Sequence, residues 1–196
     1  MTACRPPGPG PTVRLGACAP ADYAALEQTL DLWLRPAGPR LGLEYPLLFR
    51  PSPDLLHLTA RGPEGAFLAH AALLQRRILG GGIELPVTML SCVAARPGAR
   101  GLGLGSRIVS YALEQARARG AALALLWSDR ESFYGRLGFR RSGRELVVRL
   151  DSADFPGAWP EPVAATAGHI PGLLALRERT PVRMARSAQE WARLLA

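Results

Sequence analysis

Residues 87–106 have the sequence VTMLSCVAARPGARGLGLGS. Residues 87–95 are apolar and of the types that favour a buried strand, and Arg96-Pro97-Gly98 ends that strand. Residues 100–106 then form a glycine-rich turn that opens an amphipathic helix. The first N–H groups of a helix have no internal acceptor, and the helix dipole favours an anion at that end. A strand, a glycine turn and a helix start, in this order, therefore predict a phosphate-binding site.

The spacing of three glycines, at 101, 103 and 105, restricts the kind of phosphate ligand. A dinucleotide fold requires G-x-G-x-x-G and an acidic residue after the next strand, and the chain matches neither requirement here. A mononucleotide loop requires G-K-[ST], and the chain contains no lysine. The pattern that fits is R-x-x-G-x-G, formed by Arg100, Gly103 and Gly105. On this motif alone, a tight connection between strand and helix remains an alternative.

A second motif lies downstream, where residues 132–139 read SFYGRLGF after an apolar strand predicted over 122–127. In this order and at this spacing, the two motifs resemble the pyrophosphate loop and the F-Y-x-x-L-G-F signature of the GNAT superfamily of N-acetyltransferases. The resemblance covers roughly residues 20–150. It implies an α/β (α+β) GNAT fold, in which a mixed, mostly antiparallel central sheet is flanked by helices and a splayed βαβ unit forms the cofactor cleft.

The segments around the motifs agree with such a fold. Apolar periodicity predicts a helix from Tyr23 to Leu34, with Asp22 as its N-cap, and a loop helix over 104–119 that Gly120 terminates. A short helix is expected over 131–137. The glycines 80–82 predict a hairpin turn into the central strand. Further strands are predicted over 13–17, 55–61, 66–75 with an extension to 79, and 146–150.

We divide the chain into three parts. Residues 1–12 are rich in proline and glycine and predict a disordered N-terminus, residues 13–150 form the GNAT acetyltransferase domain, and residues 151–196 form a linker and a helical C-terminal extension. This tail resembles the segment that follows the first lobe in two-lobed acetyltransferases of the enhanced-intracellular-survival type. A helical cap over the core or a homodimer contact is the interpretation we favour for it.

Composition limits the partners of the protein. The net charge is +8, and all 24 basic residues are arginines that are dispersed along the chain, which suits an anionic cofactor and argues against nucleic acid. No apolar run is long enough for a membrane span and no signal peptide is evident, which predicts a cytoplasmic protein. Three scattered cysteines and three scattered histidines predict no metal site. His70, within a predicted strand, is interpreted as a core or edge residue rather than a catalyst.

The GNAT resemblance implies acetyl-CoA as the cosubstrate and assigns roles to individual residues. Backbone N–H groups of Gly101, Leu102, Gly103, Leu104, Gly105 and Ser106 are expected to bind the pyrophosphate, with Arg100 as a nearby cation. The strand edge formed by Val93, Ala94 and Ala95 is expected to bind the pantetheine arm. An N–H near Val93 is expected to stabilise the oxyanion, and Tyr134 to protonate the departing thiolate.

The expected reaction is transfer of the acetyl group to a primary amine of a small molecule or peptide, by direct attack on the thioester. Family members often place a glutamate on the central strand, where this chain has Thr88 and Ser91, so the base stays open. The nearest carboxylates are Glu84, near the start of the strand, and Glu44, which could reach the mouth of the site. Glu44 and Ser91 are the candidate substrate-contacting residues, and a water relay from a distant carboxylate is the expected proton path. The alternative is a non-catalytic acetyl-CoA-binding or CoA-binding module, or an incomplete lobe of a larger acetyltransferase.

Overall fold

The computed structural model describes residues 13–143, 147–149 and 163–195. The predicted disordered N-terminus, 1–12, and residues 151–162, the first part of the predicted linker and C-terminal extension, lie outside the described residues. The described elements, in chain order, are β1 (Arg14–Ala17), α1 (Tyr23–Leu34), α2 (Leu41–Glu44), β2 (Leu55–Arg61), β3 (Phe67–Gly80), β4 (Ile83–Ala95), α3 (Leu104–Ala118), β5 (Leu123–Leu125), α4 (Glu131–Gly135), α5 (Ile170–Glu178), β6 (Val182–Met184) and α6 (Ala188–Leu194).

The strands form one mixed sheet in the order β1-β2-β3-β4-β5, with β6 paired to β3. The first four strands are antiparallel neighbours, whereas β4 and β5 are parallel and are joined by a crossover through α3. The β3–β4 hairpin turns at Gly81 and Gly82, whose φ angles of +57° and +75° are those that a tight two-residue turn requires. The predicted mixed, mostly antiparallel sheet flanked by helices is confirmed.

Two apolar layers cover the two faces of this sheet. On one face, Leu58 and Leu73 pack with Ile108 and Val109 of α3. On the other face, Leu55 and Leu74 pack with buried residues of α1, among them Leu26. Neighbouring residues of β3 such as 73 and 74 belong to different layers because successive side chains of a strand point to opposite faces.

Several local predictions differ from the structure. Asp22 occupies the N-cap position of α1 but makes no capping hydrogen bond, because its carboxylate pairs with Arg61 at 2.6 Å instead. The strand predicted over 122–127 is limited to Leu123–Leu125, and the helix predicted over 131–137 ends at Gly135. Of the strand predicted over 146–150, residues 147–149 are described and are not in a strand, and its two ends lie outside the described residues.

The C-terminal extension contains the two predicted helical pieces, α5 and α6, but also the strand β6, which was not predicted. β6 pairs antiparallel with the end of β3, where Ile78 lies opposite Met184 and Gly80 opposite Val182. The pairing continues past the strand, since the Ala185 N–H donates to the Arg77 carbonyl at 2.8 Å. The extension is therefore attached to the central sheet through backbone hydrogen bonds, and not only as a helical cap.

Candidate active site

A cavity of about 1340 Å³ opens where β4 and β5 separate. The two strands pair only from Val87 opposite Leu123 to Met89 opposite Leu125. Beyond this point β4 continues to Ala95 while β5 has ended, and residues of both segments line the cavity. The splayed cleft of the βαβ unit is thus present, with the start of α3 at its floor.

A β-bulge interrupts β4 inside this cavity. Ala72 lies opposite Ser91 and His70 opposite Ala94, so two residues of β4, Cys92 and Val93, face the single residue Ala71 of β3. Cys92 has a φ of +47°, the only positive φ of a non-glycine residue in the described part of the chain. A bulge leaves backbone groups outside the ladder, so this distortion makes main-chain groups near Val93 accessible to a ligand.

Two buried histidines support the bulge from behind. The Nδ1 of His70 donates to the carbonyl oxygen of Cys92 at 2.8 Å, and its Nε2 lies 2.8 Å from the Nδ1 of His57. The Nε2 of His57 donates in turn to the Leu48 carbonyl at 2.6 Å. Both rings are fully buried, and burial lowers the pKa of His57 to about 4 and that of His70 to about 3.

The protons of this pair can be counted. Both outer contacts end on carbonyl oxygens, which only accept, so each outer nitrogen carries a proton when all the contacts are hydrogen bonds. Two neutral rings hold no further proton for the contact between His57 and His70. A neutral pair therefore satisfies two of the three contacts, and a third proton would have to enter against the desolvation cost of burial.

The glycine-rich turn before α3 lines the same cavity. Gly101 and Gly103 have φ angles of +83° and +70°, and a Cβ added at either position would meet nothing within 4 Å. The first turn-to-helix bond runs from the Arg107 N–H to the Gly103 carbonyl at 3.1 Å. The N–H groups of Leu104 and Gly105 precede that bond and have no acceptor within the helix. This is the geometry that an anion requires at a helix start.

The two sequence motifs meet in space at Gly105. A Cβ added there would lie 3.5 Å from the ring of Phe133 at its tip, so the ring packs against the first turn of α3. Tyr134 stacks edge to face on Phe133, with 4.8 Å between ring centroids, and on Phe139 at 5.6 Å. These contacts fix the orientation of the Tyr134 ring beside the glycine turn.

The Tyr134 hydroxyl has the character of a proton donor. Tyr134 lines the cavity, and among the residues that the structure describes none forms a hydrogen bond with its hydroxyl. Burial raises the pKa of Tyr134, and the nearby charge of Arg130 opposes this effect. The phenol therefore keeps its proton near neutral pH.

Glu44 lies at the same cavity, on α2, but is not a free carboxylate. The Arg35 guanidinium binds it with Nε at 3.1 and 3.0 Å and Nη2 at 2.9 Å. The pair is partly exposed, and both charges act on the partly buried thiol of Cys92, whose pKa is raised mainly by burial. Ser91 also lines the cavity, directly before the bulge.

The structure thus brings the predicted site residues to one cavity, with one exception. Leu102 does not line the cavity and is 61% exposed. The sequence analysis missed the support of the bulge by His57, and it gave no role to two cavity-lining arginines, Arg76 and Arg186. The only sequence signal for these residues was the position of Arg76 on β3, which pairs with the central strand, and of His57 on β2, one strand further away. The residues that were predicted and that line the cavity are Glu44, Ser91, Val93, Ala94, Ala95, Arg100, Gly101, Gly103, Leu104, Gly105, Ser106 and Tyr134.

Comparison with known proteins agrees with this geometry. Residues 58–142 match the family described as acetyltransferase (GNAT) domain. A GNAT family acetyltransferase from Brucella melitensis, solved with acetyl-CoA, is 25% identical with a TM-score of 0.53, over 66% of this chain and 84% of that chain. An acetyltransferase from Trypanosoma brucei is 23% identical with a TM-score of 0.55, over 71% and 100%. A search of curated proteins finds no match.

A further solved structure has the same fold. The GNAT family N-acetyltransferase YhbS of Escherichia coli, solved with CoA, is 20% identical with a TM-score of 0.54, over 69% of this chain and 73% of that chain. The stretch that matches the GNAT family, residues 58–142, contains both sequence motifs, so the resemblance of these motifs to the superfamily is confirmed. None of the described helices has both the length and the apolar character of a membrane-crossing segment.

Proposed function

We propose that the protein is an acetyl-CoA-dependent N-acetyltransferase that transfers the acetyl group to a primary amine. The observation that carries this proposal is the single cavity shared by the glycine turn, the β4 bulge and Tyr134. The reaction needs all three features: the glycine turn to bind the pyrophosphate, the bulge to bind the thioester, and Tyr134 to protonate the leaving sulfur. The acetyl-CoA and CoA complexes of the two bacterial structures support the same cosubstrate here.

The main chain holds the cosubstrate in this proposal. N–H groups from Gly101 to Ser106 bind the pyrophosphate, and the Arg100 guanidinium adds a charge-assisted contact. The pantetheine arm lies along the free edge of β4 at Val93–Ala95, like an added strand. The thioester carbonyl then reaches the bulge, where an N–H near Val93 stabilises the oxyanion that forms on attack.

Proton transfer completes the reaction. The amine of a small molecule or peptide attacks the carbonyl carbon, the C–S bond breaks, and Tyr134 donates its proton to the departing thiolate. The attacking amine loses a proton to water, which passes it to the Glu44 carboxylate at the mouth of the cavity. The Arg35 contact orients the Glu44 carboxylate, and a water relay is required because that carboxylate is already paired.

The test measures CoA release from acetyl-CoA with a panel of primary amines and short peptides. We expect steady-state turnover for the wild type and a fall in kcat of about 10²-fold for Tyr134→Phe, with little change in acetyl-CoA affinity. Tyr111→Phe is the matched control, because Tyr111 belongs to α3, packs against the core and does not line the cavity. Tight acetyl-CoA binding without turnover over the whole panel would favour a non-catalytic module or an incomplete lobe, and affinity weaker than millimolar would exclude both.

A further inference from the structure

The cavity has a second basic region at the level of Val87 on β4, well before the strand reaches the glycine turn. Arg76, which lines it, lies opposite Val87, whereas the turn follows Ala95. Eight residues separate these levels of β4, which corresponds to roughly 26 Å at about 3.3 Å per residue. Arg76 is therefore too distant to share a pyrophosphate that is bound at the start of α3.

Arg76 is almost completely enclosed by the protein. Its side chain is 7% exposed, and its Nη2 pairs with Glu190 of α6 at 2.7 Å. Its Nη1 donates to the Gln75 carbonyl at 3.0 Å. Burial lowers the pKa of Arg76, and the carboxylates of Glu190 and Asp54 oppose this effect. The Arg76 charge is thus compensated within the protein.

The neighbouring Arg186, which follows β6, is not compensated in this way. Among the residues that the structure describes, none accepts a hydrogen bond from Arg186, and its Nε is buried without a partner. The guanidinium lies against the Trp191 ring, 5.5 Å from the centroid. Burial and the charges of Arg177 and Arg76 all lower the pKa of Arg186, and only Glu190 opposes them. A half-buried cation among other cations is costly unless an anion binds it.

We propose that Arg186, with Arg76 beside it, binds a carboxylate or phosphate group of the acceptor, so that the substrate is an amine with a distant acidic group. This inference rests on the proposed acetyl transfer, since the amine must reach the bulge. Val93 lies six residues beyond Val87 along β4, or roughly 20 Å. An arginine side chain spans only part of this distance. The acceptor must therefore be elongated between its amine and its acidic group, as a short acidic peptide is.

A binding experiment tests the subsite without turnover. The full chain is saturated with CoA, which keeps other phosphates off the glycine turn, and is titrated calorimetrically with inorganic phosphate or with succinate at constant ionic strength. We expect saturable binding of at least one anion and a loss of about tenfold or more in Arg186→Gln. Arg179→Gln is the matched control, because Arg179 is exposed at the end of α5 and does not line the cavity. Equal affinity of the wild type and Arg186→Gln for both anions would overturn the proposal.

Titration with phosphate and with succinate distinguishes a phosphate group from a carboxylate as the bound acidic group. Two further variants test whether the positive charge of the arginines drives this binding. Arg186→Lys keeps the charge but loses the planar fork, so we expect an intermediate affinity. Glu190→Gln removes the carboxylate that competes for the arginines while it can still cap α6, where Glu190 accepts from the Ser187 N–H at 2.9 Å. Anion affinity should rise about tenfold in this variant. A fall would mean that the arginines serve only the packing of α6.

Kinetics with matched acceptors connect the subsite to the reaction. A short peptide with a free C-terminal carboxylate and the same peptide with a C-terminal amide differ only in the distal charge. We expect kcat/KM to favour the acid by about tenfold or more in the wild type and in Arg179→Gln, and equal values in Arg186→Gln. Turnover with equal kcat/KM for both wild-type substrates would reject this inference alone. Failure to bind CoA at all would instead reject the proposed function.

Discussion

The Nδ1 of His70 lies 2.8 Å from the carbonyl oxygen of Cys92, the residue at which β4 bulges. His70 lies on β3, and the contact therefore ties β3 to the bulge of β4 that lines the cavity. His70 is fully buried, so it cannot take a proton from an acceptor in the cavity. Its role is therefore to hold the bulge, in agreement with its interpretation as a core residue rather than a catalyst.

The buried histidines predict that the protein loses stability in mild acid. Burial lowers the pKa of His57 to about 4 and that of His70 to about 3, below the ordinary value of 6.5. Between the folded and unfolded pKa values, the unfolded chain binds protons that the folded chain excludes. The free energy of unfolding is therefore highest above about pH 6.5 and falls as the pH decreases. We expect a loss of several kcal/mol by about pH 4, since one pKa unit corresponds to about 1.4 kcal/mol. Urea denaturation at a series of pH values measures it.

A variant and a control assign that pH dependence. His57→Gln keeps an N–H for the Leu48 carbonyl but removes one of the two titrating rings, so the slope of stability against pH should be reduced. His169→Gln, at an exposed position that starts α5, controls for the loss of an imidazole elsewhere. An unfolding free energy that is independent of pH between about 6.5 and 4 would contradict the prediction, as would nitrogen chemical shifts of an imidazolium at neutral pH.

The backbone at Cys92 gives a second prediction. Ordinarily a strand glycine is less stable than alanine by about 0.5–1 kcal/mol, but at positive φ alanine carries a steric cost of about 1–2 kcal/mol. At φ +47° the order should therefore be reversed, with Cys92→Gly more stable than Cys92→Ala by about 0.5–1 kcal/mol. Ala94→Gly, two residues along the same strand, should show the ordinary loss. Comparison of denaturation midpoints for the three variants is the measurement, and a more stable Cys92→Ala would mean that the bulge has ordinary backbone angles.

The parts of the fold that sequence predicted are those that short-range pattern determines. β2 was placed at Leu55–Arg61 because turn residues bound an apolar run on both sides, and α3 at 104–119 because apolar residues recur at helical spacing before Gly120. β6 was missed because Val182–Met184 is too short to show alternation and follows a proline. Its strand conformation comes from the edge of β3, which only the folded structure offers.

The candidate site divides in the same way. The glycine turn and Tyr134 belong to local motifs, so the sequence alone predicted them. The His57–His70 contact joins residues thirteen positions apart on neighbouring strands, and it depends on strand register, which no local pattern fixes. Arg186 comes to the cavity only through the pairing of β6. Asp22 illustrates the same limit. Its position at the start of α1 was predicted correctly, but its carboxylate pairs with Arg61, which is distant in sequence, and does not cap the helix.

The geometry of the glycine turn predicts that replacing Gly103 by alanine, which adds one methyl group, weakens the binding of CoA. Gly103 has a φ of +70° directly before α3, where alanine is strained by about 1–2 kcal/mol and its Cβ would project beside the helix start. We expect Gly103→Ala to weaken CoA binding about tenfold or more, measured by calorimetry, and to lower the unfolding free energy by about 1 kcal/mol. Gly98→Ala is the matched control, since no positive φ occurs there and a Cβ would meet nothing within 4 Å. Unchanged CoA affinity in Gly103→Ala would argue against pyrophosphate binding at this turn.

The proton path predicts a separate effect for Glu44. If its carboxylate accepts the proton of the attacking amine through water, Glu44→Gln removes the base but leaves the glycine turn and the bulge intact. We therefore expect kcat to fall about 10²-fold and the affinity for acetyl-CoA to stay the same. Glu84→Gln is the control, because Glu84 does not line the cavity and its exposed ion pair with Arg77, at 2.8 Å, lies at the other end of β4. A Glu44→Gln variant that keeps the wild-type kcat would place the base elsewhere, with Asp129 the next cavity-lining carboxylate to replace.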